Sequence, residues 1–98
     1  MRNEIFEYIK RRKGGQTVRV GVICGSNKDG VVKIGFSKCN FKAKDQFDPD
    51  KGMQIALDRI EGLIPMPKTP DCIKKQIRGF AGRAARYFKT ASRIEIPV

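Results

Sequence analysis

The sequence predicts a small α+β protein in which a β-hairpin packs on two helices. Apolar residues that alternate with polar or small ones over about 16–39 are typical of two half-buried strands. Apolar residues at helical spacing predict helices over about 49–61 and 71–89. Because 98 residues with 40% hydrophobic content suffice for one core, residues 1–98 are interpreted as a single domain.

The hairpin is predicted from alternation on both sides of a turn. The alternating apolar positions are Val18, Val20, Val22 and Cys24, then Val32, Ile34 and Phe36. Between the two runs, residues 26–30 (SNKDG) tolerate a positive φ, as hairpin turns require. We therefore expect one apolar face on each strand, with Cys24 opposite the region of 32–35.

Both predicted helices have start signals. Asp48 before Pro49 resembles an N-cap followed by proline at the first helical position, and Gly62 is placed to end that helix. The second helix follows a connector rich in proline and is expected to be capped by Thr69 or Asp71. Its predicted apolar stripe is Ile73, Ile77, Phe80, Ala84, Tyr87 and Phe88.

Two further elements are predicted at the chain ends. Residues 3–13 place Ile5, Phe6 and Ile9 near one helical face before two glycines, which favours a short N-terminal helix. Residues 1–15 are also interpreted as a basic N-terminal arm. The final residues, 93–98, alternate and include Pro97, which is typical of a C-terminal edge strand.

Positive charge is the strongest functional signal. The formal net charge is +11, from 21 Lys and Arg against 10 Asp and Glu, and no acidic residue occurs over 72–94. Such a surface attracts polyanions and releases their counterions without needing a base sequence, which predicts DNA or RNA as a partner. The candidate nucleic-acid-binding residues are Lys74, Lys75, Arg78, Arg83, Arg86 and Lys89, with Lys10, Arg11, Arg12 and Lys13 as an auxiliary set.

Two glycines interrupt the predicted basic helix, Gly79 and Gly82, on the side of Arg78 and Arg86. Each internal glycine costs a helix about 1 kcal/mol relative to alanine. One interpretation is a close-approach surface, where a phosphate backbone or another helix lies against the bare helix. The other is a kink or a helix end at this point.

Other candidate surfaces are less distinctive. Cations also follow the hairpin, at Arg19, Lys28, Lys33 and Lys38, and form either a second cationic surface or the solvated face of the strands. Tyr8 and Phe41 are candidates for stacking on bases, with core or loop packing as the alternative.

The chemistry-bearing residues argue against an enzyme. The chain has no histidine, and Cys24, Cys39 and Cys72 form no CxxC pair, so we expect three reduced thiols and no zinc site. The cluster of Asp45, Asp48 and Asp50 could hold Mg²⁺, but helix capping explains it better. No P-loop is present. We predict no catalytic residue, no metal and no cofactor.

Localisation is predicted from what the sequence lacks. No apolar stretch approaches the roughly 20 residues that span a bilayer, and the N-terminal residues lack the order of a signal peptide. We therefore expect a soluble cytoplasmic protein without a membrane partner.

The motif order IGFSKCN, KDQFDPDKGMQIALDRIEG and GRAARYFK resembles a loose group of small uncharacterised bacteriophage-encoded proteins. The likeness runs from Ile34 to Lys89, and this chain departs from it by extra residues at 41–43. The resemblance implies a viral origin and action in the cytoplasm of an infected cell. It implies no known activity.

Two functions are consistent with these patterns. The first is a nucleic-acid-binding protein that contacts phosphates largely without sequence specificity. The alternative is a phage-encoded inhibitor that binds an acidic host protein or captures a phosphorylated small ligand. In that case the edge at 93–98 or the surface at Gly79 and Gly82 would form a protein interface or a homodimer.

Overall fold

The computed structural model describes residues 3–38 and 48–97. Its elements are β1 (Glu4–Lys13), β2 (Gln16–Lys28), β3 (Val31–Lys38), α1 (Pro49–Ile60), α2 (Asp71–Tyr87) and β4 (Arg93–Glu95). The strands form one sheet in the order β1-β2-β3-β4, antiparallel except that β4 runs parallel to β3. The predicted α+β class, hairpin, two helices and C-terminal edge strand are confirmed.

The predicted N-terminal helix is wrong, because residues 4–13 form strand β1 and pair with β2. This basic segment is therefore part of the sheet and not a separate arm. Gly14 and Gly15, with φ of 58° and 80°, make the tight turn between the two strands. On the face of β1 that carries the buried Ile5 and Ile9, the position between them is Glu7. This charged residue interrupts the apolar alternation by which a strand is recognised in a sequence.

The two helices cover opposite faces of the sheet. The consecutive residues Ile23 and Cys24 of β2 are both fully buried, yet they belong to different apolar clusters. Because successive strand side chains point to opposite faces, these clusters lie on the two sides of the sheet. One cluster contains Ala56 of α1, and the other contains Ile77 and Phe80 of α2.

A β-bulge changes which residues face each helix. Lys10 pairs with Arg19 and Ile9 pairs with Gly21, so Val20 is the extra residue of β2. Val20 consequently packs with the α2 cluster, whereas Val22 packs with the α1 cluster. The expectation of one shared apolar face along β2 is therefore wrong at the bulge.

Helix α1 is capped as predicted, and α2 is not. The Asp48 carboxylate accepts hydrogen bonds from the backbone N–H groups of Asp50 and Lys51 at 3.1 and 3.3 Å. Gly62 follows the helix with a φ of 77°. In α2 the N-cap is Pro70, which offers no side-chain cap, so the expected cap by Thr69 or Asp71 is wrong.

Within residues 3–38 and 48–97, neither helix is long and apolar enough to cross a membrane.

Gly35 of β3 allows α1 to lie close to the sheet. A Cβ atom built on Gly35 would stand 2.7 Å from Cγ1 of Ile60 and 2.9 Å from the backbone oxygen of Ala56. Because the second atom belongs to the helix backbone, it cannot move aside as a side chain could. An alanine at this position would push α1 away from the strand.

We expect the substitution Gly35→Ala to lower the free energy of unfolding by about 1–3 kcal/mol, the usual cost of overpacking. Urea denaturation followed by circular dichroism measures the change. Gly79→Ala is the matched control, because nothing lies within 4 Å of a Cβ at Gly79. That change should stabilise the protein by up to about 1 kcal/mol. Equal stabilities of Gly35→Ala and the wild type would contradict the close packing of α1.

Cys24 lies between β1 and β3 in the core, opposite Gly35 as expected. Burial, with a smaller contribution from the charge of Glu4, raises the pKa of the thiol from 9.0 to about 12. The unfolded chain therefore releases this proton at a lower pH than the folded protein does. Ionisation of this thiol in the unfolded chain therefore lowers the free energy of unfolding as the pH rises from about 9 toward 12.

We expect the stability of the wild type to fall more steeply above pH 9 than that of Cys24→Ala, by at most about 1.4 kcal/mol per pH unit. The comparison uses the slopes of unfolding free energy between pH 8 and 10.5, because the substitution also changes stability at neutral pH. Parallel slopes for the two proteins would show that Cys24 does not carry this pH dependence.

Candidate nucleic-acid interface

Helix α2 presents a cationic face to solvent. Its buried stripe is Ile73, Ile77, Phe80, Ala84 and, at the helix end, Phe88. Tyr87, which was expected in that stripe, is 48% exposed. On the opposite side, Lys75, Arg78, Arg86 and the following Lys89 are exposed. Within the described parts of the chain, these four cations make no ion pair with a carboxylate.

Gly79 and Gly82 form a bare strip on this face. The helix is continuous from Asp71 to Tyr87, so the interpretation of a helix end at the glycines is wrong. A Cβ at Gly79 would meet nothing within 4 Å, and one at Gly82 would meet only Nη1 of Arg86 at 3.8 Å. The helix backbone is therefore accessible between Arg78 and Arg86.

Arg83 lies apart from this face, on the flank of α2 that faces β1. Its Nη1 donates a hydrogen bond to the carbonyl of Phe6 at 3.3 Å and lies 3.6 Å from Oε1 of Glu7. Gln76 makes similar contacts with β1: its Nε2 donates hydrogen bonds to the carbonyl of Tyr8 and to the carboxylate of Glu7, both at 3.0 Å. These contacts dock α2 on the sheet edge, so Arg83 has a structural role in addition to its charge.

Lys74 also differs from the other helix candidates. Its Nζ lies 2.9 Å from Oδ1 of Asp71, one helical turn away, and both side chains are largely exposed. An exposed pair of this kind contributes about 0–1 kcal/mol. The pair nevertheless offsets part of the positive charge at this position.

The basic run of β1 meets the N-terminal turn of α2. Lys10, Arg11 and Arg12 are exposed at the end of the strand, and they line a cleft that Cys72 and Gln76 of α2 line from the other side. Two basic segments that are distant in the sequence therefore adjoin in space. The side chain of Lys13, another predicted contact, lies outside the described part of the structure.

The hairpin cations do not form one second surface. Lys38 belongs to the α2 side, where its Nζ lies 3.6 Å from Sγ of Cys72. By the alternation of side chains along β3, Lys33 lies on the α1 side, where it lines a separate depression with Arg59 and Glu95. Arg19 contacts the ring of Tyr8, with 4.3 Å between its Cζ and the ring centroid. The cations are thus distributed over both faces.

The aromatic candidates have different positions. The ring of Tyr8 is half-buried, with the guanidinium of Arg19 over it and the edge of Phe6 at a centroid distance of 5.5 Å. Phe6 is 39% exposed, which the sequence reasoning missed because it assigned Phe6 to a helix face. Phe41 lies outside the described residues.

The acidic cluster does not assemble as a metal site in the described part of the chain. Asp48 caps α1, as shown above, and Asp45 lies outside the described residues. Across 3–38 and 48–97, no three His, Cys, Asp or Glu side chains lie close enough together to hold a metal ion.

No protein-family model matches the sequence, and neither a curated protein nor a solved structure matches it.

Proposed function

We propose that this protein binds nucleic acid, mainly through phosphates and largely without sequence specificity. The observation that carries the proposal is the exposed face of α2, where Lys75, Arg78, Arg86 and Lys89 surround the bare backbone at two glycines. The run of 10–12 on β1 extends this positive surface at the N-terminal end of the helix.

The dimensions of the face suit a nucleic-acid backbone. Arg78 and Arg86 are eight positions apart, which corresponds to about 12 Å along a helix. Along one strand of B-DNA, phosphates recur every 3.4 Å or so of axial rise. The spacing of the two arginines therefore corresponds to about three or four phosphate steps measured along the duplex axis. No side chain at positions 79 and 82 keeps that backbone away.

The physical driving force does not need base recognition. Cations that neutralise phosphates release condensed counterions, so affinity falls steeply as the salt concentration rises. Phosphate contacts fix the register on the polymer but carry no sequence information. We further propose, from the resemblance to bacteriophage-encoded proteins, that this binding takes place in the cytoplasm of an infected cell.

We expect the double substitution of Arg78 and Arg86 by alanine to weaken binding equally on oligonucleotides of different sequence. For duplex DNA the slope of log K against log salt should become shallower by up to about 1.8, since each lost phosphate contact contributes about 0.9. Fluorescence anisotropy with labelled duplex DNA, single-stranded DNA and RNA, over a salt series and with nuclease-treated protein, measures both quantities.

The control for this experiment is the double substitution Lys33→Ala and Lys51→Ala. Both lysines are exposed and lie on the α1 side of the sheet. Their substitution removes two positive charges, as the substitution of the two arginines does. The control should retain most of the affinity. If the two double variants lose affinity equally, net charge and not the α2 face determines binding. If the wild type binds none of the polymers near physiological salt, the proposal of nucleic-acid binding fails.

The glycine strip has its own test. Gly79→Gln should raise the melting temperature, because glutamine favours a helix more than glycine does, but lower nucleic-acid affinity, because its side chain fills the strip. Gly79→Ala is the matched control, since it gives a similar gain in helix stability with only one methyl group. Retained affinity in the glutamine variant would contradict close approach at this position.

A further inference from the structure

A cleft of about 450 Å³ lies between the end of β1, the end of β3 and the first turns of α2. Its volume falls in the range of about 300–1,000 Å³ that is usual for small-molecule sites. The cleft lies on the flank of α2 and not on the outward face that carries Arg78 and Arg86. It adjoins the surface proposed above at residues 10–12 but is distinct from the face between Arg78 and Arg86.

Among the described residues, the charged ones that line the cleft are all cationic. They are Lys10, Arg11, Arg12 and Lys38. Arg11 pairs with Val18 and follows Ile9 by two positions, so it lies on the α2 side of the sheet. The ammonium of Lys38 is fixed there as well, since it lies 3.6 Å from Sγ of Cys72.

The nearby carboxylates are engaged with other groups. Glu7, beyond the rim of the cleft, lies 3.6 Å from Arg83 and accepts a hydrogen bond from Gln76 at 3.0 Å. Asp71, at the start of α2, is paired with Lys74. Neither residue lines the cleft, so the charge of its described lining is positive.

The floor of the cleft is apolar. Ile9, Val20 and Ile73 line it, and each is at most 3% exposed. An apolar floor with cations around it suits a ligand that has an uncharged body and an anionic end. The volume of the cleft leaves room for a nucleoside body beside the phosphate, whereas inorganic phosphate would fill only part of it.

We propose that this cleft binds a phosphate monoester attached to a body of nucleotide size, either free or as the phosphorylated end of a strand. A monoester carries a charge of about −1.5 to −2 at pH 7, whereas each backbone phosphate carries one negative charge. The side chains of Arg11 and Lys38, which the strand register places on the α2 side, favour the more highly charged group. Arg11 contributes a planar guanidinium that can bind phosphate in a bidentate manner, and Lys38 contributes a compact charge.

Cys72 supplies a direct readout of occupancy. This thiol is exposed and lines the cleft, so a bound ligand should shield it from alkylation. The test measures the alkylation rate of Cys72 by mass-spectrometric peptide mapping, which separates it from the other cysteines. The probes are uridine 5′-monophosphate, uridine, inorganic phosphate, and one single-stranded oligonucleotide prepared with and without a 5′-phosphate.

We expect uridine 5′-monophosphate to slow the alkylation of Cys72 and uridine to leave it unchanged. Protection by the oligonucleotide only when it carries the 5′-phosphate would identify a strand end as a source of the ligand, whereas protection by the monophosphate alone would identify the free nucleotide. Equal protection by uridine and its monophosphate, or no protection by any phosphorylated probe at 10 mM or so, would overturn the proposal.

Substitutions separate this site from the α2 face. Arg11→Ala combined with Lys38→Ala should weaken monophosphate binding about tenfold or more in calorimetric titrations, a change of the size that loss of charge-assisted hydrogen bonds produces. Arg78→Ala with Arg86→Ala should change it less than about twofold while lowering polymer affinity. If circular dichroism shows that the first pair does not fold, the single variants Arg11→Gln and Lys38→Gln replace it. Unchanged monophosphate affinity in folded cleft variants would overturn the proposal, even if polymer binding persists.

Discussion

The central constraint on this fold is that strand β2 is apolar on both of its faces. Val22, Ile23 and Cys24 are consecutive and all fully buried, although successive side chains point to opposite sides. One helix cannot cover both sides, so the sheet needs a layer on each. Helix α1 covers Val22 and Cys24, and α2 covers Ile23. Each helix is left with one solvent-facing side, and on α2 that side carries the exposed lysines and arginines.

The energetics of α2 explain how the helix accommodates glycines without breaking. Gly79 and Gly82 together cost about 2 kcal/mol relative to alanine. Full burial of a large apolar side chain contributes about 1.5–3 kcal/mol, and Ile73, Ile77 and Phe80 are each at most 3% exposed. Packing therefore outweighs the glycine cost and keeps the helix continuous. The glycines themselves add nothing to the stability of the helix, and their effect is to leave its outward face bare.

Sequence periodicity predicted the elements whose apolar patterns are local. It failed where contacts with residues distant in the sequence determine the structure. The hairpin, the Asp48 cap and the apolar stripe of α2 follow from spacing alone. The identity of β1 does not, because Glu7 occupies a strand position in its buried row, where Gln76 and Arg83, about 70 residues later, contact its carboxylate. The same long-range docking directs Arg83 toward β1 and places the cleft beside Cys72, and no local pattern reports either.

Our central proposal is that nucleic acid lies along the exposed face of α2. The most direct measurement is a titration of isotopically labelled protein with a short oligonucleotide, followed by the backbone amide chemical shifts. The account predicts the largest changes at Arg78, Gly79, Gly82 and Arg86, with further changes over 10–12. Changes centred on α1, around Lys51 and Gln54, with the glycine amides unmoved while the oligonucleotide is bound, would contradict it.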